Sequence, residues 1–455
     1  MHEDMVYVAG KARLPPELSD RAKKAMGQEN PVWETIVTKI FGDRYTPENP
    51  KGIVSLGIAE NSLMADWFLE HSKKLELTYN DLTYGDAVAG SQRLFAALTK
   101  LFNKHFHAIQ RVEPNHMICG AGVGAIMDQL CTKLCDPGDS ILIAAPYYRG
   151  FNDDLGARSL VKAVPVMLPQ GVDPASPQTL ESFESKISEM KQQGGIAKAV
   201  ILCNPHNPLG LIYPKETILE YCRFCERHNL HLISDEIYAL SMLKNKNVVE
   251  YPPFISILSL DVEEEAQCNP ARIHVLYGMS KDFGANGLRV GVLVSQHNPQ
   301  LIKSFGITAV FMKVSSASDQ LWSSIIGNDE VLATYLEKAQ SIASETLNYT
   351  LDWLEKMDIK HSNPVSGHLI WIDLRSYLPT KDEHGRPHSD PWEQESDLFG
   401  RFLNDQNVYV AKGSLYSSSV AGFFRLTFTH RRLILQEGLR RMEVTLMEVK
   451  RLNAQ

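Results

Sequence analysis

No stretch of this 455-residue chain approaches the ~20 consecutive apolar residues that a membrane span needs, so no spanning helix is expected. The first residues, MHEDMVYVAGKARLPPEL, hold acidic groups and prolines in place of a continuous apolar run, which excludes a secretory signal. Cysteine is sparse and odd in number: seven, without framework spacing, pointing to free thiols, a reducing compartment and a cytoplasmic location. Positive charge is in deficit. With 46 Lys and Arg against 54 Asp and Glu, the net charge of −8 excludes a general nucleic-acid or anionic-membrane surface but permits a local basic pocket. No internal repeat or low-complexity tract stands out. Cys222-x-x-Cys225-x-x-His228 has metal-like spacing, yet it lies in a predicted helix beside Arg223 and Arg227, and no metal site is expected.

What is present is an apolar fraction of 44% with 22% charged residues, enough for a large core, in a chain long enough for two or three structural units. Short apolar runs at 117–119, 140–145, 199–203, 230–234, 272–277 and 288–295 alternate with helical patterns at 91–106, up to about 134, and at 215–228. This rhythm predicts an α/β fold, a mainly parallel sheet with helices on both faces and its ligand beyond the carboxyl ends of the strands. After about residue 300 the texture changes to long helices at 319–326, 329–356 and 433–452, with strands at 368–373 and 423–428, which predicts a smaller α+β domain. The expected division is 1–79 as an N-terminal arm and part of the small domain, 80–315 as the large domain and 316–455 as the small one. Residues 1–50 carry Pro15-Pro16, Pro31, Pro47 and Pro50 around helical patterns at 17–25 and 32–41, as in an arm laid over another surface. Residues 380–395 read as a solvated insertion.

The candidate functional residues fall at strand ends. Lys281 follows the run at 273–276 within Ser280-Lys281-Asp282, and Arg289 stands eight positions on, so an amine and a guanidinium can grip one ligand at two points. Asn204 opens Asn204-Pro205-His206-Asn207-Pro208-Leu209-Gly210, whose Asn-Pro steps leave its amide at a strand tip. Asp235 and Tyr238, three apart, lie on one side of a helical turn, and Tyr148 ends the run at 140–145. Gly120-Ala121-Gly122-Val123-Gly124-Ala125 leads from strand to helix and lets backbone N–H groups face an anion. The same segment satisfies the loose G-x-G-x-x-A dinucleotide pattern, so a nicotinamide-dependent oxidoreductase is a rival reading. Glu60-Asn61 reads equally as the border of a site and as the cap of a helix at 63–74. His206 borders the same region and reads as structural. The set meets the needs of pyridoxal 5'-phosphate. Lys281 holds its aldehyde, Asp235 faces its pyridine nitrogen, Tyr238 and Asn204 donate to its phenolic oxygen, Tyr148 stacks on its ring, and Val123-Gly124 with Arg289 cradle its phosphate.

The stretches SLGIAENSL at 55–63, PYYRGFND at 146–153, NPHNPLG at 204–210, SDEIY at 234–238, SKDFGANGLRVG at 280–291 and FRLTF at 424–428 run through most of the chain. In them the chain resembles a fold-type I pyridoxal-phosphate enzyme of the class I/II aminotransferase superfamily, and most of all its 1-aminocyclopropane-1-carboxylate synthase branch. The resemblance implies an aspartate-aminotransferase-like large domain with a seven-stranded-type sheet. It implies that Lys281, beside Ser280 in the cofactor site, is the Schiff-base lysine and the base that moves the substrate's α-proton, and that Arg425 clamps the α-carboxylate. Tyr84 matches a tyrosine that reaches the phosphate from a neighbouring subunit, which implies a homodimer with a shared site. Glu60 matches a glutamate that orients the substrate's amino group and sulfonium end. Three departures stand out: Gly278 replaces a phosphate-binding serine, Gly124 occupies a position often bearing a hydroxyl, and the spacing from Tyr84 to Gly90 is longer than usual. The expected activity is a synthase-like carbon–sulfur lyase acting on S-adenosylmethionine or another S-substituted amino acid; the alternative is an amino-acid aminotransferase.

Overall fold

The computed structural model describes residues 6–8, 11–13, 16–27 and 36–454, which belong to two compact units, Met1–Arg44 and Tyr45–Gln455. In the first unit, β1 (Val6–Val8) and β2 (Lys11–Arg13) pair antiparallel, with Tyr7 opposite Ala12. The helix Asp20–Gly27 follows, starting three residues later than the pattern suggested. Of the helix expected at 32–41, residues 32–35 lie outside the described residues, and Ile36–Ile40 form a single π-type turn.

The second unit opens with β3 (Val54–Ser55) and then builds β4 (Met117–Gly120), β5 (Ser140–Ala144), β6 (Lys162–Val166), β7 (Ala197–Cys203), β8 (His231–Asp235), β9 (Ile273–Gly278) and β10 (Gly291–Val294). From β4 to β10 these form one seven-stranded sheet in the order β4-β10-β9-β8-β7-β5-β6. Only β10 runs antiparallel to its neighbours, so the sheet is mainly parallel, as expected. Its strands read as uninterrupted apolar runs because both faces are covered. Cys119, Leu142, Val200, Leu202, Leu232, Val275 and Val292 turn to one buried cluster. Their chain neighbours Ile118, Ile141, Ile143, Ile201, Ile233, Leu276 and Leu293 turn to another on the opposite face. Pro165 lies in β6, an edge strand, where the missing N–H costs no ladder bond. The register sets Cys203 beside Asp235 and Asp235 beside Leu276, so the segments after β7, β8 and β9 emerge side by side.

A second, antiparallel sheet has the order β11 (Lys360–His361), β12 (Leu369–Asp373), β15 (Phe423–Thr427), β14 (Ala411–Lys412), while β13 (Val408–Tyr409) pairs parallel with β3. Ile370, Ile372, Phe424 and Leu426 pack against Leu351 and Leu354 of the helix Asp329–Lys356, Leu439 and Met442 of the helix Arg432–Asn453, and Val54 and Leu56. Arg425 lies between Phe424 and Leu426 on β15, so strand alternation turns it away from that core. The helix Ser316–Ile326 gives Leu321, Trp322 and Ile325 to the first core, and the 28-residue helix Asp329–Lys356 contributes to both. The change from one apolar cluster to the other falls within that helix. Residues 380–395 are not merely solvated. They lead into a helix, Pro391–Gly400, whose buried Glu395 accepts the N–H groups of Ser414 (3.1 Å) and Gly422 (2.7 Å) and fastens that loop.

Candidate active site

Lys281 sits in the turn after β9. The Asp282 carboxylate anchors this turn from below, accepting the Leu240 N–H (2.9 Å), the Ser241 hydroxyl (2.5 Å) and the Tyr277 hydroxyl (2.8 Å). Gly284, at φ +61°, closes it with an N–H donated to the Lys281 carbonyl at 2.9 Å. Ser280 is buried beside the lysine. The Lys281 Nζ donates to the Ala59 carbonyl at 2.7 Å. Burial, then the Arg425 guanidinium, bring this amine down to about 8, while Glu60 and Asp235 oppose them. An amine so placed is partly neutral near physiological pH and able to take a proton.

Asp235, at the tip of β8, is buried, and its carboxylate accepts the Ile237 N–H at 3.3 Å; burial pushes it up to about 6. Tyr238, 1% exposed, has a hydroxyl with no hydrogen-bond partner among the described residues. Arg425, 3% exposed, donates from Nη1 to Asn207 Oδ1 (3.1 Å) and from Nη2 to the Gly57 carbonyl (2.5 Å), and lies 4.7 Å over the Tyr416 ring. Its Nε has no partner, and among the described residues no carboxylate pairs with it. A buried cation in this state is set to receive an anion. Tyr148 packs edge-on against Phe151 at 5.3 Å, within electrostatic reach of Asp154, Arg425 and Asp235, and burial pushes its phenol up.

The anion cradle is made of backbone. Gly122, at φ +91°, caps the helix Val123–Leu134, whose first N–H groups have no partner within the helix. A Cβ on Gly122 would run into the Arg289 guanidinium, which also donates to the Asn286 carbonyl at 3.0 Å. A Cβ on Gly278 would stand 2.6 Å from the Val290 carbonyl oxygen and 3.2 Å from Val123 Cγ2, and one on Gly291 2.6 Å from the Val123 nitrogen. Gly278 thus stands where two strands close on a helix start and leave no room for a Cβ. Gly124 faces Asp154, whose carboxyl is raised to about 7 by burial and then by Asp153.

The structure departs from the sequence reading at several residues. The Asn204 amide is engaged by backbone: Oδ1 accepts the Tyr213 N–H (3.2 Å) and Nδ2 donates to the Ile255 carbonyl (3.2 Å). The second asparagine of the same motif, Asn207, reaches Arg425 instead, a choice the repeated Asn-Pro step left open. Tyr84 is 76% exposed and, among the described residues, makes no contact with these groups. Glu60 lies within electrostatic reach of Lys281, and its carbonyl accepts the Thr429 hydroxyl at 2.8 Å. Asn61 Oδ1 accepts the Leu63 N–H at 3.1 Å and its Nδ2 lies 3.4 Å from His368, but the helix begins at Ala65 with Met64 as its N-cap and no side-chain cap, so the expected helix cap is not made. The dinucleotide reading fails on topology: β4 is an edge strand beside antiparallel β10, and the helix after the glycine segment leads to β5 with four strands between them, not to a neighbouring parallel strand. Cys222 and Cys225 pack in the core, and His228 faces Glu184 at 2.7 Å.

The unpartnered Tyr238 hydroxyl, the singly bonded Asp235 carboxylate, the Lys281 amine and the side-chain-free cradle fit pyridoxal 5'-phosphate, whose phenolic oxygen, ring nitrogen, aldehyde and phosphate they match in kind. A family model described as aminotransferase class I and II matches residues 52–442. A "Probable aminotransferase gliI" of Aspergillus fumigatus is 34% identical over 399 residues, covering 86% of this chain and 88% of the relative. A "1-aminocyclopropane-1-carboxylate synthase 2" of Cucurbita pepo is 29% identical over 399 residues, covering 85% and 76%. Among solved structures, an aspartate aminotransferase double mutant of Thermus thermophilus superposes with a TM-score of 0.73 at 19% identity, over 95% of this chain and all of that one.

Proposed function

The chain belongs to the class I and II aminotransferase family and is a pyridoxal-phosphate-dependent enzyme, and from that premise we propose that it cleaves a carbon–sulfur bond in an α-amino acid, S-adenosylmethionine or another S-substituted amino acid. One observation carries the reading. The Ala59-Glu60 segment crosses Lys281, its carbonyl holding Nζ at 2.7 Å and its carboxylate acting on the same amine. A carboxylate beside the base is placed to hold a cationic group of the substrate, an amino group or a sulfonium.

When bound, the cofactor supplies an electron sink for the substrate's α-carbon. The chain's own groups do the rest. Arg425, whose Nε has no partner among the described residues, binds the α-carboxylate and orients the α-carbon toward Lys281, whose amine takes the α-proton. Asp235 holds a positive charge at the tip of β8, and the buried Tyr238 hydroxyl donates to an oxygen in front of it. Burial of Asp235 and Arg425 beside half-buried Lys281 keeps water from competing for these contacts.

A second reading, amine exchange with a keto acid, draws on the "probable aminotransferase" names of two relatives. Supplying S-adenosylmethionine and a panel of S-substituted cysteines without a keto acid distinguishes the two. Release of a thiol or thioether is expected; keto-acid-dependent exchange with no such release would overturn the lyase reading. The proposal includes a homodimer with a shared site, supported by exposed apolar side chains at Leu82, Tyr84, Ile307 and Phe311. Sedimentation as a monomer at micromolar concentration would remove that part. Seven free cysteines suit a cytoplasmic protein, and among the described residues no helix is long and apolar enough to cross a membrane.

A further inference from the structure

His368 precedes β12 and is 2% exposed, its carbonyl accepting the Phe428 N–H at 3.1 Å. Its Nε2 lies 3.4 Å from Asn61 Nδ2 and 3.4 Å from Ser241 Oγ, and its ring stands edge-on to Tyr238 at 5.3 Å and 86°. Each contact leads to Lys281 by a short path. Asn61 continues the segment whose Ala59 carbonyl holds Nζ; Ser241 grips Asp282 in the lysine's own turn. We propose that His368 is a positioning residue for Lys281, a neutral bridge that keeps the Ala59-Glu60-Asn61 segment in register with the Lys281-Asp282 turn.

The tautomer follows from the network. Asn61 Oδ1 accepts the Leu63 N–H, so its Nδ2 faces the ring as a donor and Nε2 accepts; the imidazole proton then sits on Nδ1, which has no partner among the described residues, and Ser241 Oγ, whose proton goes to Asp282, meets the ring as a packing contact only. Burial, then Lys281 and His430, keep the ring neutral, with its pKa near about 3. The charged groups that act on Lys281 are Arg425, Glu60, Arg289 and Asp235. His368 adds to them a strut without a further charge, hydrogen-bonded to Asn61 and packed against Ser241. An apolar residue here would leave the Asn61 amide without its partner and release the carbonyl from Nζ, disfavouring the protonated amine. The proposal requires Lys281 to be the reactive amine and is independent of the choice between elimination and amine exchange.

The test uses the full chain with H368L and H368Q, and N61A as the partner variant. In cofactor-free protein, acylation of Lys281 by a water-soluble anhydride is followed by mass spectrometry against pH. The wild-type midpoint is expected near about 8, lower in H368L and in N61A, and close to wild type in H368Q. With cofactor bound, H368L is expected to keep its cofactor content and its KM within about twofold, while kcat for whichever conversion the wild type performs falls by roughly 10- to 100-fold. An unmoved labelling curve, or a kcat loss explained wholly by cofactor content, would overturn the proposal. Should H368L not fold, N61A decides alone, and an unmoved midpoint there overturns it equally.

Discussion

At the amine end of the site, function rests on atoms that project: the Lys281 amine, the Asp235 carboxylate, the Tyr238 hydroxyl and the Arg425 guanidinium, each brought in on a different segment. At the anion end it rests largely on atoms that are missing. Gly122, Gly278 and Gly291 let β9 and β10 approach the start of the helix Val123–Leu134 so closely that any Cβ would overlap carbonyl, amide or guanidinium atoms. The two ends should therefore respond oppositely to substitution. Removing atoms damages the first, and adding them damages the second, because the backbone facing Gly278 and Gly291 has no rotamer into which to retreat and Gly122 holds a φ of +91° that side chains rarely adopt.

The largest effect is expected from Lys281→Ala, which removes both the attachment amine and the base. Conversion should fall by at least about 10⁴-fold, more than a lost general base alone, with melting temperature little changed. Residual turnover within tenfold of wild type, measured on protein freed of contaminating wild type, would contradict the assignment. Arg425→Ala comes next. Truncating a buried hydrogen-bonded cation that meets a carboxylate costs about 2–5 kcal/mol, so kcat/KM should drop by roughly 30- to 5,000-fold, and Arg425→Lys should recover only part of it. The third change tests the other end. Gly278→Ser restores the hydroxyl found in the family pattern, yet its Cβ meets the Val290 oxygen at 2.6 Å. It should cost about 1–3 kcal/mol in stability and lower cofactor occupancy at limiting concentration. Gly124→Ser, whose Cβ meets only a carboxylate oxygen at 3.1 Å, should be the milder of the two. Tighter binding of cofactor by Gly278→Ser would mean that the backbone cradle yields.

This asymmetry also governs what could be read before the fold was known. Lys281, Asp235, Tyr238 and Arg425 stand in motifs whose chemistry is carried by residue type, and the mainly parallel sheet follows from apolar runs buried on both faces. Gly278 read as a lost hydroxyl because a one-letter string shows what a position lacks and not what fills the space. Asn204 and Asn207 carry the same Asn-Pro signal, and only the path after β7 decides that the first binds backbone while the second reaches Arg425. His368 carried no signal at all. It depends on three segments, around residues 61, 241 and 368, that meet only in the folded chain.

The smallest expected effect separates charge from shape at the amine end. Asp235 ordinarily titrates near 3.8, and burial raises it to about 6 in the folded chain. The folded state thus binds this proton more tightly than the unfolded state, so ionised Asp235 lowers stability at neutral pH, a penalty that fades as pH falls from about 6 toward 4. In cofactor-free protein Asp235→Asn should melt above wild type at pH 7, and the gap should close across that window. With cofactor bound the sign reverses, because a protonated ring nitrogen gives the carboxylate the cation it lacks; at pH 7 the wild type should then gain more melting temperature than the variant. Melting curves of both proteins, with and without cofactor, at several pH values read all of this directly. A gap that stays constant with pH would show that Asp235 acts through shape alone, and the contrast between a chemical end and a steric end would lose one of its members.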